Sequence, residues 1–242
     1  MELNTLVAKR ALNTAQTKDF SDWAESLLIQ GCASVNVAIL AGFGLERLPD
    51  TIEVDGYFKK CIAELGLVLP EEQIAIFDYI KLLVCNISKG VIEPRTGLYE
   101  LLISLDATDN EQLLYRIWDE LSEDINSLGG YDRYLWNTGL SADNVDEFIV
   151  LVAQQFMQLS EMELPDDFFH LCACDECGYI GKPQLKRIDL PWLHEKLFRF
   201  IYGRSPTFQW ICGKCGQAGL KNMFDYAGRK RYLESLGFFR LP

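Results

Sequence analysis

Histidine is nearly absent from this chain: His170 and His194 are the only two in 242 residues. That removes the His-Glu-x-x-His zinc-hydrolase pattern, since Phe198 stands where the second histidine would be needed. The zinc-deaminase pattern fails as well, because His194 is followed by Glu195 and Lys196, and Ile211 rather than proline precedes Cys212. Both histidines therefore read as structural hydrogen-bonding residues. No apolar run approaches the roughly 18 residues a membrane-spanning helix needs; the best candidate, VNVAILAGFGL, stops at 11 and reads as a buried helix. The opening MELNTLVAKR has no basic region followed by an apolar core, so no secretory signal is expected. There is no low-complexity tract, and no motif recurs at the period of a helical repeat array. AGFGLE has no strand before it and no Lys-Ser/Thr after it, which excludes a phosphate loop and leaves Gly42 and Gly44 as helix ends. Nothing assembles a nucleophile, a base and an oxyanion donor, so no catalytic residue is assigned and no enzymatic activity is expected.

Positive charge is scarce over most of the length. Residues 1–167 hold 11 Lys/Arg against 29 Asp/Glu, a balance of −18, whereas residues 168–242 hold 12 against 6, a balance of +6. The change falls at ELPDDFFHL, where Pro165 and the Asp166–Asp167 pair end a long helical pattern. Two fields of opposite sign on one chain suit two different partners, or each other.

What is present before that point is helical. Patterns over 3–16, 19–30 and 33–43 have Ser21 and Ser34 near their starts, and EVDGYFKKCIAELG follows with Gly66 as a stop. PEEQIAIFDYIKLLVCNISKG starts with Pro70 and two acids, which suit a helix N-terminus, and ends at Gly90. After a short TGLYELLISL, Thr108 and Glu111 offer a capping box for the next helix. There Leu114, Ile117, Trp118, Leu121, Ile125 and Leu128 form one apolar face before Gly129–Gly130. A last long helix spans 141–163. The fold class expected is mainly α: an all-α domain of about eight helices over 1–167, followed by a small α+β domain over 168–242. The second region carries 14 of the 29 aromatic residues. RIDLPWL and PTFQWI read as strands in it, and YAGRKRYLESLG as a closing helix. YDRYLW (131–136) reads as aromatic packing, with an exposed contact patch as the alternative. A unit of this size needs a staple to be stable.

The staple is legible in the cysteines. Of eight, Cys32, Cys61 and Cys85 lie in helical patterns and the other five cluster. Cys174-Asp-Glu-Cys177-Gly178 and Cys212-Gly-Lys-Cys215-Gly216 share the form C-x-x-C-G. Two cysteines three apart across a tight turn can both present thiolates to one ion, and the glycine permits the backbone that the turn requires. Without an export signal the thiols are expected to be reduced, in a cytoplasmic setting. The paired motifs over 172–217 resemble the zinc-ribbon family, in which two knuckles at hairpin tips clamp one structural zinc. The resemblance implies one Zn2+ held by Cys174, Cys177, Cys212 and Cys215. A gap of 34 residues separates the knuckles, so an insertion, LPWLHEKLFRFIYGRS, is expected between them. Cys172 is spare: on a strand it shares a face with Cys174, so it or His170 remains an alternative ligand. Four thiolates close the coordination shell, which makes the site structural rather than catalytic.

Two functions from different classes follow. The first is a non-catalytic protein-binding factor whose acidic helical region docks a partner, a basic nuclease or nucleic-acid-binding effector being the kind its field would steer. LAGFGLERLPDTIEVDGYFKKCIAELGL is similar to uncharacterised bacterial proteins that neighbour toxin, immunity and phage-defence genes, which implies an immunity-like or defence-accessory adaptor. The second is a nucleic-acid-binding regulator acting through the C-terminal domain. In that reading Lys186, Arg187, Arg199, Arg204, Lys214, Arg229, Lys230 and Arg231 would meet phosphates, and Trp192 and Trp210 would stack on bases.

Overall fold

The computed structural model describes residues 1–108, 113–130, 135–187 and 208–238. The chain divides into two compact units, Met1–Glu111 and Gln112–Pro242. Among the described residues there are nine α-helices and five short strands, so the protein is mainly α with a small α+β part. All the strands lie in the second unit.

The first unit holds α1 (Leu3–Ala11), α2 (Thr17–Ile29), α3 (Val35–Gly42), α4 (Thr51–Glu64), α5 (Glu72–Ser88) and α6 (Pro94–Asp106). Local chemistry sets most of the starts. Ser34 accepts the Val37 N–H at 3.2 Å, and Asp50 accepts the Ile52 N–H at 2.9 Å. Glu93 accepts from Thr96 at 2.6 Å, with Pro94 in the first turn, where its missing N–H costs nothing. One expected start is corrected. Ser21 does not open a helix: α2 begins at Thr17, and Gln16 and Asp19 form the reciprocal capping box. Ser21 is buried inside α2 and donates its hydroxyl to the Ala41 carbonyl at 3.2 Å. Helix α1 packs on α5, α5 on α6, α2 on α3 and α3 on α4. Phe20 and Trp23 meet Phe58 edge-on at 5.4 and 5.3 Å, an aromatic centre to which Leu6, Val37, Leu40 and Val54 add buried aliphatic surface.

The second unit contains α7 (Arg116–Ser127), α8 (Val145–Ser160), β1 (Cys172–Cys174), β2 (Ile180–Gly181), β3 (Gln184–Arg187), β4 (Phe208–Ile211), β5 (Leu220–Asn222) and α9 (Tyr226–Ser235). The charge reversal at residue 167 therefore lies within this unit. Glu111, the second member of the box expected with Thr108, lies outside the described residues. The Thr108 hydroxyl donates to the Leu105 carbonyl at 2.8 Å at the end of α6, and a 3-10 turn over Leu113–Tyr115 leads into α7. Ile117, Trp118 and Leu121 are buried as expected, and so is Asp124 on the same helix. PTFQWI yields β4, and YAGRKRYLESLG yields α9. Strand β1 is central in the sheet β2-β1-β5, and β3 pairs with β4 in a separate antiparallel ribbon. The register sets Ala173 opposite Ile180 and Lys221, and Leu185 opposite Trp210. No helix among the described residues is long and apolar enough to cross a membrane.

Candidate metal centre

Each knuckle is built by the same backbone bonds. In the first, the Gly178 N–H donates to the Cys174 carbonyl at 3.0 Å, and the Cys174 N–H to the Tyr179 carbonyl at 2.9 Å. In the second, Gly216 donates to Cys212 at 2.9 Å and Cys212 to Gln217 at 2.8 Å. Gly178 and Gly216 sit at φ +67° and +75°, the left-handed region that a β-carbon disfavours, which is why a glycine follows each second cysteine. The first knuckle is the β1–β2 turn, and the second joins β4 to β5. Because β5 pairs with β1, the two tips converge, and an Asp175 N–H bond to the Gly219 carbonyl at 2.7 Å draws them together.

The four sulfurs of Cys174, Cys177, Cys212 and Cys215 lie within 4.8 Å of one another. Cys174 Sγ is 3.6 Å from Cys215 Sγ, and Cys177 Sγ is 3.7 Å from Cys212 Sγ. A disulfide requires about 2.05 Å, so these are not bonded pairs. Metal–sulfur bonds of about 2.3 Å arranged as a regular tetrahedron give edges of about 3.8 Å, close to the two short separations. The donor set therefore fits one metal ion. Cys174 and Cys212 are buried, whereas Cys177 and Cys215 are exposed.

Two of the thiols, both in the second knuckle, are shifted in opposite directions. Backbone N–H groups of Cys215 and Lys214 aimed at the Cys212 sulfur hold its pKa down at about 6. At Cys215 the Gln217 N–H acts in the same direction, but loss of water and the three neighbouring sulfurs outweigh it and push the value up to about 12. One sulfur thus ionises readily and the last resists, because each further proton lost adds like charge to the cluster. A cation at the centre removes that penalty.

Cys172 is not part of the cluster. It is half-buried beside Phe169, His170, Lys182, Pro183 and Trp210, and burial raises its thiol pKa. His170 ends a short 3-10 turn over Phe168–His170 and is exposed, also outside the cluster. The residues named for nucleic-acid contact scatter. Lys186, Arg187 and Trp210 are exposed on the β3–β4 ribbon, and Lys214 is exposed in the second knuckle. Trp192, Arg199 and Arg204, with the expected insertion, lie outside the described residues.

Arg229 is a correction: it is fully buried. Its guanidinium donates to the Phe224 carbonyl at 2.6 Å, the Gln155 amide oxygen at 3.1 Å and the Met223 carbonyl at 3.2 Å, so it is not available to a phosphate. Burial lowers its pKa to about 10, which still leaves it charged at neutral pH. Arg231 braces the metal centre, donating to the Cys174 carbonyl at 3.1 Å and pairing with Asp175 at 2.9 Å. Lys230, between them, is partly buried.

Sequence reasoning missed the polar frame behind the knuckles. Asp225 caps α9 through the Ala227 N–H at 3.0 Å and also accepts the Thr138 hydroxyl at 2.6 Å. Asp124 accepts the Asn137 N–H at 2.7 Å, and Asn137 accepts the Tyr226 N–H at 3.1 Å. Comparison of this chain with protein-family models, with curated proteins and with solved structures returns no match.

Proposed function

We propose that the chain is a zinc-stabilised binding protein that acts by contact rather than by catalysis. The observation that carries this reading is the set of four sulfurs within 4.8 Å of one another, since a shell closed by four thiolates has no position left for water or substrate. Zinc is the ion of choice for such a set, because thiolates favour soft or borderline metals and tetrahedral sulfur favours zinc over copper(II) or nickel. Purified protein is expected to hold one zinc per chain, and its cobalt form to show tetrahedral thiolate absorption that azide does not alter. Azide-sensitive bands would mean an open position and would overturn the non-catalytic reading.

The partner is a protein. The −18 balance of residues 1–167 steers a basic surface toward it, so an immunity-like or defence-accessory adaptor, working in the cytoplasm against a basic nuclease or other nucleic-acid-binding effector, fits the charge. The test is isolation of the chain from its host at low salt. A basic protein should co-elute and rebind when repurified, with affinity falling as salt rises toward about 0.3 M, where screening is within about 6 Å. Elution alone at every salt concentration would refute it.

One observation favours a second reading. Trp210 and Phe208 are 56% and 64% exposed, and the strand register places them on the same ribbon face as Leu185 and Arg187. Such a face can stack on unpaired bases beside cations. Binding of single-stranded oligonucleotides by the full chain, lost in Trp210→Ala and weakened steeply by salt, would support it; equal binding by parent and variant would remove it.

A further inference from the structure

A cavity of about 460 Å³ opens in the first unit, between the α1–α2 turn and helices α5 and α6. It is remote in sequence from the four clustered cysteines. One wall comes from the α1–α2 segment and carries Lys9; the other comes from α5 and α6 and carries Tyr79, Tyr99 and Glu100.

The charges on these walls are unequally satisfied. Asp19 is buried and fully engaged, accepting from Lys9 at 3.0 Å and from the Gln16 N–H at 2.8 Å. Lys18 faces both oxygens of Asp22 at 2.9 Å and is neutralised there. Glu100 differs. Its carboxylate accepts the Tyr79 hydroxyl at 2.7 Å, and no ion pair to it occurs among the described residues. Tyr79 is buried; burial and the Glu100 carboxylate keep its phenol protonated and donating. Tyr99, next to Glu100 in sequence, is 67% exposed and offers an aromatic face at the same wall. A carboxylate without a cation beside an exposed ring is a receptor for an ammonium group. Across the cavity, the Lys9 ammonium has three donors and spends one on Asp19, which leaves donors for an anion.

These features disfavour simpler ligands. Glu100 repels a phosphate or dicarboxylate, and a plain amine would leave the remaining donors of Lys9 unused. Leu12 and Ile103 in the lining favour an apolar body. We infer that this cavity binds a small apolar zwitterion, a free amino acid or a dipeptide, with its ammonium on Glu100 and its carboxylate on Lys9. The volume lies within the range of about 300–1,000 Å³ usual for small-molecule sites.

The test is calorimetric titration of the full chain with L-leucine, L-phenylalanine and glycyl-L-leucine, each beside its N-acetyl and C-amide forms. At least one free zwitterion should bind saturably at one site per chain, and both blocked forms should bind about tenfold or more weakly, since each loses a charge-assisted hydrogen bond. Glu100→Gln retains an acceptor for Tyr79 and should weaken binding by about tenfold with the helical circular dichroism unchanged. Tyr99→Ala, at the exposed mouth, should weaken it by about threefold. Absence of saturable heat with all three compounds would overturn the inference. So would a blocked form that binds as tightly as its parent, or Glu100→Gln binding at parent affinity.

Discussion

Replacing Arg229 by methionine separates a buried frame residue from a surface cation. Methionine is close in length and apolar, so it fills the space but returns nothing to the acceptors. Three well-placed ones are left dry: the Phe224 carbonyl at 2.6 Å, the Gln155 amide oxygen at 3.1 Å and the Met223 carbonyl at 3.2 Å. The contact to Asn137 Oδ1, at 3.5 Å, is weak and adds little. Each buried acceptor that loses its donor costs about 1–3 kcal/mol. Against this, removing the cation recovers part of its desolvation cost, the same burial that lowers its pKa to about 10. A buried charge replaced together with its partners can be neutral to stability, but here the partners remain, so the loss dominates. The expected net cost is about 3–5 kcal/mol, a large part of the roughly 5–15 kcal/mol that holds a domain together. Urea unfolding at neutral pH, with the metal bound, should show a lower midpoint for the transition of the second unit. Lys186→Met, on the exposed strand β3, should stay within about 0.5 kcal/mol of the parent. An Arg229→Met midpoint equally close to the parent would refute the buried frame.

The ligand set makes its own prediction: Cys172→Ser and His170→Ala should keep one metal per chain, whereas Cys177→Ser should lower the metal affinity by orders of magnitude, as measured by competition with a chromogenic chelator. Protons compete with the ion for the sulfurs, so the metal is held where the thiols ionise and released as pH falls. With Cys212 held at about 6, that thiol must also lose a proton to bind the ion below about pH 6, so the fall of metal affinity with pH should steepen there by about one proton. Two glycines should be intolerant to different degrees. A β-carbon at Gly97 would lie 2.6 Å from Ile87 Cγ1, so Gly97→Ala gains about 1 kcal/mol in helix propensity and loses about 1–3 kcal/mol to overpacking, a net loss read as a lower melting temperature. At Gly228 it would collide with the backbone carbonyl of Asn222, which cannot rotate aside, so Gly228→Ala should cost more than Gly97→Ala.

The knuckles were legible in the sequence because each is complete within six residues: two cysteines, the turn between them and a glycine whose positive φ follows from that turn. The helices were legible for a similar reason, since an apolar stripe and a cap are both local. Ser21 misled because serine near an apolar run suits a helix start. Here its small size is what counts, as a β-carbon on Gly44 would come within 2.6 Å of its oxygen. Arg229 misled more deeply. GRKRY reads as a solvated cationic run, and the side-chain acceptors that bury one member of it belong to Gln155 and Asn137, 74 and 92 positions earlier. A trace was present nonetheless. Gln155 interrupts the apolar face of α8, and Asp124 that of α7; a polar side chain on a buried face requires a partner.

That frame also bears on what the metal does. The knuckles could hold one metal ion, Arg231 joins α9 to the Cys174 carbonyl and Asp175, and Arg229, two residues earlier on α9, joins it to Gln155 of α8. The chain of contacts is continuous from the sulfurs to α8, which begins at Val145, well before Cys174. Without the ion the four sulfurs cannot all stay ionised together, and β1 would lose the tie at its end. The loss then reaches α8 through two arginines of one helix rather than stopping at the hairpins. A metal ion at the four sulfurs would therefore be tied through α9 to α8, and removing it should be felt beyond the hairpins in the proposed partner surface of this unit.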